Sequence, residues 1–544
     1  MRMVYYLLGC SFLFMGMAPL PFAGAQAAPR LPGELAWTIG YDPKSFDPAK
    51  VDDEDSEEIR YLTAGVLLRF SRLTQRVEPQ LAESWTLSPD GKIVTFRLRE
   101  GLQFSDGSSL TSRDVAWSLR HVLSPATAAP VASEFLSPET VKVDTADDRT
   151  VIVRLPRRVI GIGKVFDEIA IEPAERASEG RITSGPFYVA DYLRAQYVRL
   201  RRNVHYRPPG RANDTLPYAT GVRLDILNNP EMQVRLFRRG EYDLIEGVAP
   251  DYFELLRQKT PAAVRDLGPS LNTEQLWFNQ SPNAPIPQWE KTWFQNRAFR
   301  VAVAQAINRD DLARIAYQGH ATAAYDFISP ANKLWYNRSL TAPQMGAAAA
   351  RGTLTRAGFV LKDSTLLDGA GHPVKFSILT NAGNAARLKM ATLIQEDLKS
   401  LGIQVSVVAL DFPALIERLM HSQDYEACLL GLENVDPDPN SMMNIWLSSS
   451  PNHQWNPSQV EPATPWEAEI DRDMKEQAST PDDAKRKHAV DRVQQIVADE
   501  QPFIYLVYPN TLYALSPKLT GVQPAILQPG LVWNVERLRL QEKP

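Results

Sequence analysis

Three carboxylates and one amide crowd the six residues ENVDPD, Glu433 to Asp438. Side chains of this type on one loop can hold an ammonium or a guanidinium through charge-assisted hydrogen bonds. Two carboxylates that meet in space can also divide the acid and base roles of a hydrolase. The same aspartates have a plainer use, because Asp-Pro pairs start turns by bonding their own backbone. Asp436 follows an apolar, strand-like run and opens a loop at its carboxyl end, where α/β sheets bind ligands, so Asp436 is assigned to a cleft together with Glu433 and Asn434. Asp438 stands evenly between cleft and turn. Trp277 in LWFNQ and Tyr41, directly after ELAWTIG, add aromatic faces that either stack on a ligand or pack in a core.

Signatures of catalysis are missing: there is no G-x-S-x-G, no G-x-x-x-x-G-K-[ST], no H-E-x-x-H and no G-x-G-x-x-G. The 7 histidines lie far apart without paired ligand spacing, so neither a metal nor a cofactor is expected. A net charge of -5 with interspersed signs excludes the basic stripe of a nucleic-acid binder.

Arg2 precedes an apolar run from Val4 to Met17, and Ala25-Gln26-Ala27 follows as an A-x-A site, so residues 1–27 read as a cleaved export signal. Cys10 as a lipidated cysteine is the lesser alternative, because few apolar residues precede it. With Cys10 removed, Cys428 is the only thiol, which rules out an internal disulfide. Its place inside DYEACLLGL is that of a core residue.

The elements that must position these groups are read from periodicity. In SPDGKIVTFRLREGLQFSDG, Ser88 to Gly107, Val94, Phe96 and Leu98 alternate with polar residues as in a half-buried strand, and Asp90-Gly91 and Asp106-Gly107 read as tight turns. Thr111 three residues before Asp114 predicts a capped helix start. Two strands are expected in SGPFYVADYLRAQYVRLRRN, and an apolar helical face through most of NRAFRVAVAQAINRDDLARIAYQG, Asn296 to Gly319. VKFSILT, AARLKMATLIQEDLKSLG and IQVSVVAL give strand, helix closed by Gly402, and strand, which predicts a parallel βαβ unit. A chain of 544 residues is long enough for two or three such cores.

The segment AESWTLSPDGKIVTFRLREGLQFSDGSSLTSRDVAWSL, Ala82 to Leu119, closely resembles the signature of the family-5 extracellular solute-binding proteins, the peptide-, dipeptide- and nickel-binding components of ABC importers. SFDPA at Ser45, SGPFYVADY at Ser184, LRRNVHYR at Leu200, FRVAVAQAINRDDL at Phe299, GHATAAYDFISP at Gly319 and LENVDPDPNSM at Leu432 follow in the family's order. The resemblance implies an α/β, two-lobed periplasmic binding protein, a clamp with an extra β-rich subdomain in the first lobe. Lobe I would comprise residues 28–77, 206–281 and a C-terminal return at 509–544, with the β-rich subdomain at 78–205 and lobe II at 282–508. It implies a monomer without enzymatic activity that captures a peptide or peptide-like solute in the periplasm and delivers it to an ABC permease in the inner membrane. The alternatives are a neutral or anionic solute or a metal chelate and, less favoured, a secreted hydrolase or periplasmic chaperone. The family's acidic segment carries a Trp and, three residues later, an Asp for a peptide's terminal amine; those positions fall on Leu432 and Val435, with Asp436 the nearest substitute.

Overall fold

The computed structural model describes residues 29–135, 140–159, 161–174, 181–210, 215–342, 344–434 and 436–541. The export signal with Cys10, and Val435, lie outside the described residues.

The period-two stretch after Ser88 forms the strand Ile93–Leu98, in which Val94, Phe96 and Leu98 are buried and Arg97 is exposed. Gly91 and Gly107 take φ of 70° and 83°, the left-handed region that both Asp-Gly turns require. Thr111 and Asp114 make the expected capping box at the helix Ser112–Leu123, with the Thr111 amide donating to Asp114 Oδ2 at 2.8 Å. The strand lies second in an antiparallel sheet of order Ala82–Leu87, Ile93–Leu98, Thr150–Arg154, Lys142–Asp147. Phe96, Phe104, Phe135 and Phe166 fill the core of this β-rich part.

Strands Phe187–Leu193 and Tyr197–Arg202, expected within the β-rich part at 78–205, belong to another sheet. Phe187–Leu193 pairs with Tyr197–Arg202, which pairs in turn with Gly221–Ile226, and that strand carries Glu34–Ile39 parallel on its other edge. The cause is side-chain packing: Phe187, Val189, Val198 and Leu200 share a core with Trp37, Leu62 and Leu224 in lobe I. At the other end Leu67 and Leu68 join the Phe96 core, so the β-rich part also begins ahead of residue 78.

Lobe II contains the βαβ unit as read. Lys375–Asn381 and Gln404–Leu410 are parallel, the helix Ala385–Lys399 crosses between them, and Gly402 has φ of 81°. Ala427–Leu432 adds a parallel strand, and Thr273–Phe278 pairs antiparallel with it. Cys428 is fully buried. The segment from Asn296 is broken where one apolar face was expected: the helix Arg297–Ala306 stops, Asn308 caps a new turn, and Ile315 is left 39% exposed. Arg309 fixes the break, since its buried guanidinium donates to the carbonyls of Ala304, Ala324 and Tyr505.

The long strand Phe503–Leu515 joins the lobes. Phe503, Ile504, Tyr505 and Val507 pair with Thr273–Phe278, whereas Asn510, Leu512, Tyr513 and Ala514 pair with Val264–Pro269. Two crossing segments therefore connect lobes that each hold their own core, the geometry of a hinge.

Candidate functional site

The carboxyl end of the first strand, Glu34–Ile39, runs into Gly40 and Tyr41, whose amides donate to Asp55 at 2.8 and 3.0 Å. That fastens the strand end to the start of the helix Glu54–Thr63, which Asp53 caps by accepting the Ser56 amide at 2.9 Å. Glu54 and Glu58, one turn apart, share a face of this helix. Trp37 Nε1 donates to Glu58 Oε1 at 2.5 Å. Glu246, just beyond the strand Leu244–Ile245, accepts the Leu531 amide at 2.5 Å. Gly530 permits that approach, because a Cβ there would sit 1.6 Å from Tyr513 Oη.

Glu58 and Glu246 are half-buried, so each keeps a wet surface while lying deep in the protein. Burial pushes the Glu58 carboxyl up to about 8, with Glu246, Asp55 and Glu54 adding like charge against the Trp37 bond. Burial also lifts Glu246 to about 7, opposed by the amides of Leu531, Gly530 and Val532 and reinforced by Glu54. Glu54 is raised by burial, then by Glu433 from the facing lobe, then by Asp55. Among the described residues no lysine or arginine pairs with Glu58 or Glu246. Carboxylates from both lobes thus converge without their own counter-cation, an arrangement that a ligand's ammonium or guanidinium would satisfy.

The lobe II wall carries an open pocket, lined among others by Leu271, Phe327, Ile328, Asn434, Asp436 and Met442. Asn434 fixes the loop to the hinge crossing: its amide donates to Asn272 Oδ1 and its Nδ2 to the Leu271 carbonyl, both at 2.9 Å. A second pocket, lined by Phe46, Ile59, Ile171 and neighbours, has no lobe II residue in its wall.

The family model described as bacterial extracellular solute-binding proteins, family 5, middle region, matches residues 76–454. The chain belongs to this family. A probable ABC transporter-binding protein of Deinococcus radiodurans is 24% identical over 529 residues, covering 88% of this chain and 87% of that protein. The oligopeptide-binding protein AppA of Bacillus subtilis is 24% identical over 520 residues, covering 91% and 89%. The structure of AppA in complex with a nonapeptide matches with a TM-score of 0.69 at 22% identity, over 94% of this chain and 99% of that one. NikA of Brucella suis in complex with Fe(III)-EDTA matches with a TM-score of 0.77 at 18% identity, over 93% and 100%. The fold is accordingly that of the two-lobed periplasmic binding proteins.

Within this family-5 protein, the residues expected at the ligand have different fates. Glu433 is exposed and felt at Glu54, and Tyr41 is 66% exposed at the rim of lobe I. Trp277 is corrected: it is 1% exposed, packs edge-on against Phe503 at 5.6 Å and donates to Tyr425 Oη at 3.2 Å, inside lobe II. Its neighbours on the flanking strands are Cys428 and Phe503, so the strand offers it to the core. Asp438 acts as a turn residue, accepting the Asn440 amide at 2.9 Å and Arg486 Nη2 at 2.8 Å.

Asp436 has a partner that sequence did not suggest: Lys164, on the helix Ile162–Glu168 of the β-rich part, forms an ion pair with it across the lobes. The pair is about one-quarter exposed on each side, so it is screened by salt and contributes about 1 kcal/mol or less. Lys164→Met is expected to lower the thermal midpoint slightly at low ionic strength and not at high, as read by differential scanning fluorimetry. A large, salt-independent loss would contradict that assignment.

Glu54, Glu58 and Glu246 were also missed. EDSEEIR reads as an ordinary acidic helix start, favourable at the positive end of the helix dipole. The signal available was the four-residue spacing of Glu54 and Glu58 directly beyond the first strand.

Proposed function

We propose that this protein captures a positively charged short peptide or peptide-like solute between its lobes and delivers it to an ABC permease, after export to the periplasm under residues 1–27. The peptide part rests on the relatives' descriptions, which include an oligopeptide-binding protein and a structure holding a nonapeptide. The charge rests on one observation, the convergence of Glu58 and Glu246 without a protein cation. Among the described residues no helix is long and apolar enough to cross a membrane. A solute touching Glu58 and Glu246 on one side and Glu433 or Asn434 on the other gains both sets of contacts only when the lobes close. It therefore shifts the population toward the closed form, which the permease would read. Binding is the whole activity; the solute leaves unchanged. Anionic solutes are disfavoured, because the raised carboxyls of Glu58 and Glu246 would oppose them as soon as either group ionises.

The raised carboxyls give the binding a pH signature. Glu58 and Glu246 hold protons until about 8 and about 7, whereas a bound lysyl or arginyl side chain favours the ionised form. Binding therefore releases protons, and affinity rises with pH through that window, by at most about tenfold per unit for each proton released. The free protein has the opposite slope: with folded pKa values above unfolded ones, it loses stability as pH rises through the same window. Titration calorimetry of an arginyl tripeptide in two buffers of different ionisation enthalpy measures the proton count. Proton uptake, or an affinity that falls with pH, would refute the cationic reading.

A further inference from the structure

The hinge carries an imidazole with a carboxylate at each ring nitrogen. His320 follows the turn Leu312–Ala316 in lobe II and precedes the strand Ala321–Ala323, which pairs with the hinge strand at Val507, Tyr508 and Pro509. Its carbonyl accepts the Asn510 amide at 3.0 Å, so the residue is anchored to that strand. The ring lies between two carboxylates. Nδ1 is 2.6 Å from Asp266 Oδ2 on the strand Val264–Pro269, and Nε2 is 2.9 Å from Glu254 Oε1 on the helix Pro250–Lys259 of lobe I. Phe253 of that helix meets the ring edge-on at 4.6 Å.

A neutral imidazole has one N–H and one lone pair, and only the imidazolium donates from both nitrogens. Two ionised carboxylates at hydrogen-bond distance from both nitrogens therefore describe the protonated ring. We propose that His320 is a proton-operated clamp between the lobes, tying lobe II to both Glu254 and Asp266 when charged and giving up one of these ties when neutral. Both carboxylates keep other partners after release: Arg257 holds Glu254 at 2.7 and 2.8 Å, and the Asn510 side chain holds Asp266 at 3.0 and 3.1 Å. Release therefore strands no charge, which leaves the switch reversible. The remaining charged groups at this seam are Asp251 on the lobe I helix, bonded to Gln318 and ion-paired with Lys389 of lobe II at 3.4 Å, and Arg265 beside Asp266. Histidine is the side chain whose ordinary range puts a charge change between about pH 5 and 8.

The sign follows from which form is held: protonation favours the arrangement with lobe I drawn onto lobe II, and that preference fades as pH rises. This inference concerns the free protein and stands apart from the identity of the solute. Small-angle X-ray scattering of the ligand-free full chain from about pH 5 to 8 reads it. The radius of gyration of wild type should increase with pH. His320→Gln, which donates one bond as the neutral ring does, should be expanded throughout, and His320→Arg, which keeps two donors and the charge, should stay compact throughout. Glu254→Gln should resemble His320→Gln without altering the histidine. A wild-type radius that does not change with pH, or a His320→Arg profile that rises as steeply as wild type, would overturn the clamp and point to the cleft carboxylates instead.

Discussion

Glu58→Gln and Glu246→Gln are each expected to weaken binding of an arginyl or lysyl peptide by about 2 to 5 kcal/mol, roughly 30-fold or more in Kd. Each substitution removes one partner of a charge pair that is desolvated once the lobes close, and the ligand's cation is left facing an amide. Shape is almost unchanged, since glutamine keeps the acceptor that receives the Trp37 indole at Glu58 and the Leu531 amide at Glu246. Loss of affinity without loss of fold is the expected pattern. The free variants should also lose less stability than wild type as pH rises from the ordinary carboxylate range to about 8, because the carboxyls raised to about 8 and about 7 are gone. Calorimetric titration with the same peptide, beside thermal unfolding at two pH values, separates the two effects. Wild-type affinity in both variants would place the cation elsewhere.

The second large effect concerns stability. Asp167 is buried on the helix Ile162–Glu168 and faces Arg69 Nη1 at 3.0 Å and Arg72 Nη1 at 2.8 Å, while its carbonyl accepts Arg60 at 3.1 Å. Burial alone would raise its carboxyl, but Arg69, Arg72 and Arg60 outweigh it and hold the group below the usual carboxylate range. Both guanidiniums lie over the Tyr61 ring, at 4.3 and 4.9 Å, and Arg72 also donates to the Gln528 carbonyl of the C-terminal return. The cluster thus pins the β-rich part to lobe I. Asp167→Asn removes the buried carboxylate from two half-buried guanidiniums and should cost about 3 kcal/mol. Adding Arg69→Met and Arg72→Met to that variant should recover much of the loss, since no unpaired charge then remains. The sign in wild type is that of a depressed acid: the contribution is present above the ordinary carboxylate pKa and is lost only as pH falls through the lower folded value. Thermal unfolding by circular dichroism of the single and triple variants reads the result. A single variant within about 1 kcal/mol of wild type would show that the cluster is not the pin.

Local chemistry was legible where neighbours in sequence are neighbours in space. The strand Ile93–Leu98, the Thr111–Asp114 cap and the βαβ unit closed by Gly402 each depend on short-range spacing, and each stands as read. Partner choice was not legible. The hairpin Phe187 to Arg202 has the same alternation whether it joins the β-rich sheet or lobe I, and only its packing against Trp37 and Leu224 decides. Trp277 likewise reads the same as a core or a cleft aromatic until its flanking strands are known. In the acidic segment, sequence assigned Asn434 and Asp436 to a cleft but had no means of finding Lys164 opposite Asp436. Glu58 and Glu246 lie on separate elements, and their mutual charge exists only in the folded protein.

The central claim is that the cleft selects positive charge. Titration calorimetry of the wild-type protein with an arginyl tripeptide and with its citrulline counterpart, equal in size and neutral at the side chain, tests it most directly. The account predicts saturable binding of the arginyl peptide and a Kd weaker by roughly 30-fold or more for the citrulline form. Equal affinity for the two, or binding of the citrulline form alone, would contradict it.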